Sequence, residues 1–446
     1  IQMQQAGAGN GHGVVPAFLW YHHSGLAERW KRRDWSDPSM ARPLAEYIDD
    51  AVAQGWWRGL DRPQRAPRVL FEIGSNWARR MRGGSGALGR LLDGLDLFVC
   101  MDWRMSGSAL RADVLLPAAA PYEKPGFAQT SPQTLLLTFS DACVEPAGEA
   151  RPEWETFVAL ARVIEERAKA RGFTEYTDAR GVARRLDDLA AYFTAGGAFE
   201  TTERVLREMV ADTVESGTLP EGTTLDSFRE QGHARFIDWG ITPFALVQAA
   251  DLRDDETHAA LRHHVEQGLP YATLTRRAQF YIDHPWFIEA GEALPVHKEN
   301  PAMGGDYPLV LTSGHSRWSI HSMNQADRAM LGTHRGEPLV LIGPGDAAAR
   351  GVREGDRVRV YNDVSSFVAQ AKIAAGVRPG QVVSYNGWEP YQYDAWRHSA
   401  EVEPGMVKWL HFAGGEGHLR YWTTQWQPAP IDRAFRVEVE SADVPL

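Results

Sequence analysis

Cysteine is almost absent from this chain: among 446 residues only Cys100 and Cys143 occur. Two distant thiols make no disulfide framework and cannot ligate an iron–sulfur cluster on their own. Long apolar runs are missing too. No stretch of about 18 residues is apolar enough for a membrane-spanning helix, so no direct membrane span is expected. A basic excess is also lacking. The net charge of -11 argues against a nucleic-acid or anionic-membrane binder, which would want a basic face. Against that background the cluster Arg79, Arg80 and Arg82 stands out. The chain starts at Ile1, with neither an initiator methionine nor a signal-peptide pattern, and reads as a fragment of something longer.

What is present is ordinary globular composition, 43% hydrophobic and 24% charged, at a length that allows about two or three domains. Tryptophan is the exception, with sixteen residues. Several, such as Trp388, Trp422 and Trp426, sit in polar, Gly-containing surroundings, where interface, ring stacking and core filling are all open roles.

From Arg68 the pattern runs RVLFEIGSN, a Gly/Arg-rich connection, ALGRLLDGL with helical spacing, then LDLFVCMD. That order predicts a βαβ unit with parallel strands. ADVLLP, from Ala112 to Pro117, reads as a third strand. Ligands in such sheets lie at the carboxyl ends of strands, which places Gly74, Ser75 and Asn76 with Asp102, Trp103 and Arg104 at one crevice. Trp154 to Ala170 predicts an amphipathic helix. Beyond it a partly helical insertion extends to about Asn300, including a polar region at Asp251 to Glu256, and NPAMGGDYP reads as a linker. The last portion changes character: PLVLIGP, DRVRVYND, SFVAQAKIA and GQVVSYN are short β-rich runs between turn residues, as in a compact barrel. The expected fold class from this pattern is α/β, a parallel-sheet domain with a helical insertion, followed by a compact C-terminal β-barrel. The expected domains are 1–170, 171–300 and 301–446.

The densest chemistry lies in LVLTSGHSRWSIHS, Leu309 to Ser322. A strand there enters a loop carrying Thr312, Ser313, His315, Ser316, Arg317, Trp318, Ser319, His321 and Ser322, with Gly314 allowing close backbone approach. Backbone amides and hydroxyls suit phosphate, and Arg or Trp suits a planar ring, so a polyanionic, ring-bearing ligand is expected.

Taken in order, LFEIGSN, MDWRMSGSALRADVLLPAAAPYEK, SGHSRWSIHS, DAAARGVREGDRVRVYND, YNGWEPYQY and GGEGHLRYW resemble the catalytic subunits of molybdopterin oxidoreductases of the dimethyl-sulfoxide-reductase family. The resemblance covers nearly all of the chain, points to the C-terminal half of a type II catalytic subunit, and implies an α/β fold with a parallel-sheet dinucleotide-binding domain carrying a helical insertion, followed by a C-terminal six-stranded double-psi-like β-barrel. The type II branch includes ethylbenzene, steroid and dimethyl-sulfide dehydrogenases and selenate, chlorate and nitrate reductases. Its cysteine-rich segment and the region of its Asp ligand to molybdenum are not found here. The resemblance implies molybdenum bis-molybdopterin guanine dinucleotide as cofactor, with an iron–sulfur cluster in the missing N-terminal part. It implies as partners the N-terminal remainder of the catalytic subunit, an iron–sulfur beta subunit and a haem b gamma subunit, a heterotrimer with a small-molecule substrate. No metal ligand is predicted from this chain, and no catalytic residue is assigned. Location follows the family: periplasmic, with the cytoplasmic side as the alternative.

Onto this sequence the resemblance carries cofactor contacts at Gly74, Ser75 and Asn76, where an ordinary turn is the other reading. Asp102 suits a ribose hydroxyl or guanine amino group, or else a turn cap, with Arg104 and Ser106 as neighbouring donors. Asp113 is expected to fix a turn, and Glu123 and Lys124 to pair locally or line a substrate funnel. Thr312, Ser313, His315, Ser316, Arg317, Trp318, His321 and Ser322 are expected around the pterin and pyrophosphate. Asn386, Gly387, Trp388 and Glu389 suit a pterin or guanine edge. Gly414, Gly415, Gly417 and His418 form a further loop that is either cofactor contact or turn. The reaction expected is two-electron hydroxylation or oxygen-atom transfer. The aromatic surroundings of Trp388, Tyr391 and Tyr393 lean toward an apolar organic substrate. An oxyanion reductase and a non-catalytic binding barrel are the alternatives.

Overall fold

The computed structural model describes residues 25–29, 31–33, 40–54, 66–80, 85–128, 136–178, 181–237, 262–271, 276–278, 280–298, 303–319, 321, 323–404 and 435–442. Along the chain these give α1 (Leu44–Ala53), β1 (Val69–Ile73), α2 (Trp77–Arg80), α3 (Ser85–Asp93), β2 (Leu97–Asp102) and β3 (Val114–Pro117). Next come β4 (Gly126–Ala128), β5 (Leu136–Ser140), α4 (Glu153–Arg171), β6 (Glu175–Thr177), β7 (Ala183–Arg185), α5 (Thr202–Glu215), α6 (Leu225–Gln231) and β8 (His233–Arg235). The remainder holds α7 (Pro285–Glu289), β9 (Leu309–Gly314), β10 (Leu339–Ile342), α8 (Pro344–Ala349), β11 (Arg357–Tyr361), β12 (Ser366–Ile373), β13 (Gln381–Tyr385) and β14 (Phe435–Ser441). Two compact units result. One combines Ile1–Cys100, Met105–Leu115 and Thr273–Leu446; the other combines Met101–Arg104 and Leu116–Ala272.

In the first unit the βαβ pattern forms a sheet in the order β1-β2-β3. The crossover through α3 sets β1 and β2 parallel. Leu88 and Leu91 of α3 line a small apolar cavity with Leu70 and Phe98, so one face of the sheet is covered by the helix that connects it. Asp113 does fix the chain before β3: its carboxylate accepts from the Phe98 amide at 2.8 Å. A separate cluster joins α1 to α7, where the buried Tyr47 packs edge-on to Trp286 with ring centroids 4.9 Å apart and donates to Glu289 at 2.5 Å.

The same unit contains a closed six-stranded barrel in the order β10-β12-β11-β14-β9-β13. Alternation explains its core. Val358 and Val360 of β11, Phe367, Ala369 and Ala371 of β12, and Phe435, Val437 and Val439 of β14 point inward and are fully buried, while the residues between them are partly exposed. Two pairs in the barrel are parallel, β10 with β12 and β13 with β9. After β10, Pro344 opens α8, and Arg350 at its end binds Glu438 of β14 at 2.6 Å.

The second unit holds the expected amphipathic helix as α4, burying Val158, Ala161 and Ala168. It also holds the antiparallel sheet β4-β5-β8 and the hairpin β6-β7. Its core gathers Val210, Leu219, Phe228 and Phe236 with Phe127 and Phe139 packed against them. Lys124 pairs with Glu153, whereas Glu123 accepts from the amides of Ala120 and Ala147 at 2.8 and 3.2 Å. The two therefore do not form the local pair that adjacency suggested. The polar region at 251–256 lies outside the described residues. Among the described residues no helix is long and apolar enough to cross a membrane.

Candidate functional site

The site forms where strand ends meet in the first unit. β9 and β13 lie side by side and parallel, with Gly314 opposite Tyr385, so the loops that follow them leave from one end of the barrel. The Asn386 amide then donates to the Gly314 carbonyl at 2.9 Å, holding the two loops together at their roots. Thr312, still inside the ladder, accepts from Gln381 at 2.9 Å and donates to the Val382 carbonyl at 3.4 Å. It fixes this junction rather than facing outward.

Beyond Gly314 the loop divides into two groups. His315, Arg317, Trp318 and His321 are exposed, as is Ser313 just before Gly314 in β9. Their aromatic groups are arranged against one another: the His315 and His321 rings lie 4.6 Å apart, and the Arg317 guanidinium lies 5.1 Å from the Trp318 ring centre. Ser319 and Gln325 are buried beneath them. His321 and Asn324 adopt positive φ angles of 51° and 57°, a conformation disfavoured for side-chain-bearing residues and held here by surrounding contacts. Gln325 donates to the His321 carbonyl at 2.6 Å, and Asn324 to that of Trp318 at 3.1 Å. Ser322 lies outside the described residues, as do Gly414, Gly415, Gly417 and His418.

Arg335, which sequence reasoning missed, sits behind this loop and is 7% exposed. It donates to the Asn324 carbonyl at 2.8 Å and the Gly387 carbonyl at 2.6 Å, and its guanidinium lies 4.1 Å from the Trp388 ring centre. Burial lowers its pKa, and among the described residues it has no salt-bridge partner. Gly387 is required at its position. Its φ is 88°, and a Cβ there would collide with the Ser319 hydroxyl. No local pattern marks Arg335, because its partners lie 11 and 52 residues away.

The turn after β1 joins the same assembly. Gly74 has a φ of 58° and leads through the half-buried Ser75 to Asn76, which is buried. Asn76 donates to both carboxylate oxygens of Glu389 at 2.9 Å, and the Gly107 amide donates to one of them at 2.8 Å. Ser108 closes the group by donating from its hydroxyl to the Asn76 side-chain oxygen, Oδ1, at 3.3 Å. The two side chains expected to read a ligand edge are thus engaged with each other and join segments 313 residues apart. Ser106 accepts from the Ala109 amide at 3.2 Å and caps a short turn. Arg79 donates to the His321 carbonyl at 3.2 Å. His398, also missed, is buried beside this junction and contacts the Ala78 carbonyl at 3.1 Å.

Asp102 and Arg104 belong to the second unit. Asp102 is buried and accepts from the Trp103 amide at 2.8 Å, the turn-cap arrangement. Trp388 and Tyr393 belong to the barrel core, which removes them as exposed substrate-facing aromatics.

Five buried polar atoms lack a hydrogen-bond partner in the loops and the segment behind them: Ser316 Oγ, Ser319 Oγ, Gln325 Oε1, Arg335 Nε and Asn386 Oδ1. Each costs about 1–3 kcal/mol if left unsatisfied, and together they present both donors and acceptors. With Arg79, Arg317 and Arg335 about one loop of an acidic chain, the site fits an anionic ligand that also carries a hydrogen-bonding ring edge.

Residues 309–405 match the family described as Molydopterin dinucleotide binding domain, and residues 83–163 match Molybdopterin oxidoreductase. The chain is 33% identical over 448 residues to the respiratory nitrate reductase subunit alpha of Haloferax mediterranei, covering 96% of this chain and 44% of that protein. It is 34% identical over 406 residues to the dimethylsulfide dehydrogenase subunit alpha of Rhodovulum sulfidophilum, covering 90% and 42%. The chlorate reductase subunit alpha of Ideonella dechloratans is 32% identical over 446 residues, covering 96% and 46%. The chain thus spans less than half the length of these curated relatives. Acetylene hydratase from Pelobacter acetylenicus shares the fold, with a TM-score of 0.55 at 16% identity over 99% of this chain and 52% of that one.

Proposed function

Because the chain carries molybdopterin oxidoreductase and molybdopterin-dinucleotide-binding domains and is homologous to alpha subunits of the dimethyl-sulfoxide-reductase family, we propose that it forms much of the cradle for molybdenum bis-molybdopterin guanine dinucleotide in a catalytic subunit. The observation that carries this reading is the group of unsatisfied buried donors and acceptors in the loops after two adjacent parallel strands. Ser313, His315, Ser316, Arg317, Trp318 and His321 would hold the ligand from the first loop, Asn386 and Gly387 from the second, and Gly74 and Ser75 from the turn after β1. Asn76 and Glu389 act one step behind, as the tie between these segments. When bound, the group supplies two-electron redox chemistry, and this chain binds and orients it.

The reaction follows as oxygen-atom transfer or hydroxylation, with electrons passing through an iron–sulfur cluster in the remainder of the subunit, an iron–sulfur beta subunit and a haem b gamma subunit in the periplasm. With Trp388 and Tyr393 in the core, support for an apolar organic substrate weakens. The similar alpha subunits include those of two oxyanion reductases and an organic sulfide dehydrogenase. An assay of the assembled enzyme against nitrate, chlorate, dialkyl sulfides and alkylbenzenes, with artificial electron donors and acceptors, tests the reading. Turnover of an oxyanion or a sulfide is expected. Molybdenum-loaded protein inert toward the whole panel would contradict it.

A further inference from the structure

We propose that Gln392 and Gln325 are positioning residues of the cofactor site, closing a hydrogen-bond ring that fixes its three loops as one unit before the ligand arrives; this rests on the reading above. The ring can be traced from Glu389, on the loop after β13. Its backbone amide donates to Gln392 Oε1 at 2.8 Å, and Gln392 Nε2 donates in turn to the Gln325 carbonyl at 2.9 Å. Gln392 thus uses both ends of its side-chain amide, which sets the orientation of that group. Gln325 Nε2 carries the ring onward to the His321 carbonyl, the same oxygen that Arg79 reaches from the turn after β1. The Arg79 backbone amide donates to the Asn76 carbonyl at 3.2 Å, and the Asn76 side chain returns to the Glu389 carboxylate. The circuit is closed.

Its meeting point is the His321 carbonyl. Donors from Gln325 and Arg79 converge there, and a Cβ on Gly387 would stand 3.3 Å from the same oxygen, so all three loops come together at one atom. His321 has a φ of 51°, a conformation that persists only where the surroundings over-determine it. Gln325, at 2% exposure, acts through His321, whose ring is exposed beside that of His315. Loops held in this way are ordered before binding, so association does not carry the cost of ordering them. In a closed ring, moreover, breaking either glutamine link opens the same circuit. The two side chains are therefore coupled although their amides sit on different links.

The test measures release of molybdenum and guanine nucleotide from the fully matured assembly, in wild type, Gln392→Met, Gln325→Met and the double variant. Each single substitution keeps an unbranched side chain, removes the amide, and is expected to speed release on the order of tenfold; the double is expected to add no more than about twofold beyond either single. Gln392→Glu supplies a readout that packing alone does not move. Its protonated carboxyl accepts from Glu389 and donates to Gln325 as the amide does, so its release relative to wild type is expected to slow as pH falls toward about 5, with no such dependence in Gln392→Met. In the cofactor-free wild type, the amides of 76–79, 315–319 and 386–389 are expected to exchange at one common rate, a measurement that needs no variant. Wild-type release in either single variant, multiplicative effects in the double, a pH-independent Gln392→Glu, or unrelated exchange rates in the three loops would each overturn the proposal. Where the wild-type assembly holds molybdenum and guanine nucleotide, any of these outcomes leaves the cofactor reading intact. Matured wild type that holds neither overturns that reading and this proposal with it.

Discussion

His398 is buried with its ring between the Ala78 carbonyl at 3.1 Å and the Ala400 amide at 3.4 Å. Burial, with Arg111 and Arg79 adding to it, holds its pKa down to about 4. The unfolded chain takes up the proton near the ordinary value of about 6.5, whereas the folded chain refuses it until about pH 4. The contribution of this residue is therefore complete above about pH 6.5 and is lost as pH falls through that window, by about 3 kcal/mol in all. Urea unfolding at a series of pH values should show this slope for the wild type and a shallower one for His398→Asn. Equal slopes would place the acid sensitivity elsewhere. Arg335 shows the complementary case at the same scale: a buried cation with carbonyl and aromatic partners, whose charge is answered within the proposed complex by the phosphates of the ligand.

The junction of the turn after β1 with the turn after β13 depends on one buried carboxylate. In Asn76→Ala, Glu389 keeps the Gly107 amide but loses the one side-chain amide nitrogen that reaches both its oxygens, a cost of about 1.5–3 kcal/mol that a chemical-denaturation midpoint would register. A midpoint equal to that of the wild type would show the tie to be incidental. Many elements were legible in the sequence, because alternation and turn residues mark β9 to β13 and helical spacing marks α3 and α4. Their pairing was not. Nothing local in SGHSRWSIHS or YNGWEP reports that β9 and β13 run side by side, or that Asn76 and Glu389 meet. Such contacts are decided when the barrel closes, as is the burial of Trp388 against Arg335, where the sequence leaves interface, ring stacking and core filling equally open. The exposed donors of the first loop were legible because their density exceeds what a connecting loop requires. Gln325, Arg335 and His398 were not, since each acts through partners that only the fold supplies.

At the scale of the whole molecule, an acidic chain with net charge -11 concentrates Arg79, Arg317 and Arg335 around one loop at the end of a closed barrel. A solvated protein surface has no need of that arrangement, and a polyanionic dinucleotide does. The chain also spans less than half the length of its curated relatives, so the proposed cradle would be one part of a larger enclosure. The central claim is that this loop cluster retains the molybdenum–pterin group, and the most direct measurement is molybdenum and guanine nucleotide content in the purified, fully matured assembly. Both should be present in the wild type, and both should fall together in Arg317→Ala, which removes a charge-assisted donor worth about 1.5–3 kcal/mol. Matured wild-type protein containing neither, or an Arg317→Ala variant with undiminished content of both, would contradict the account.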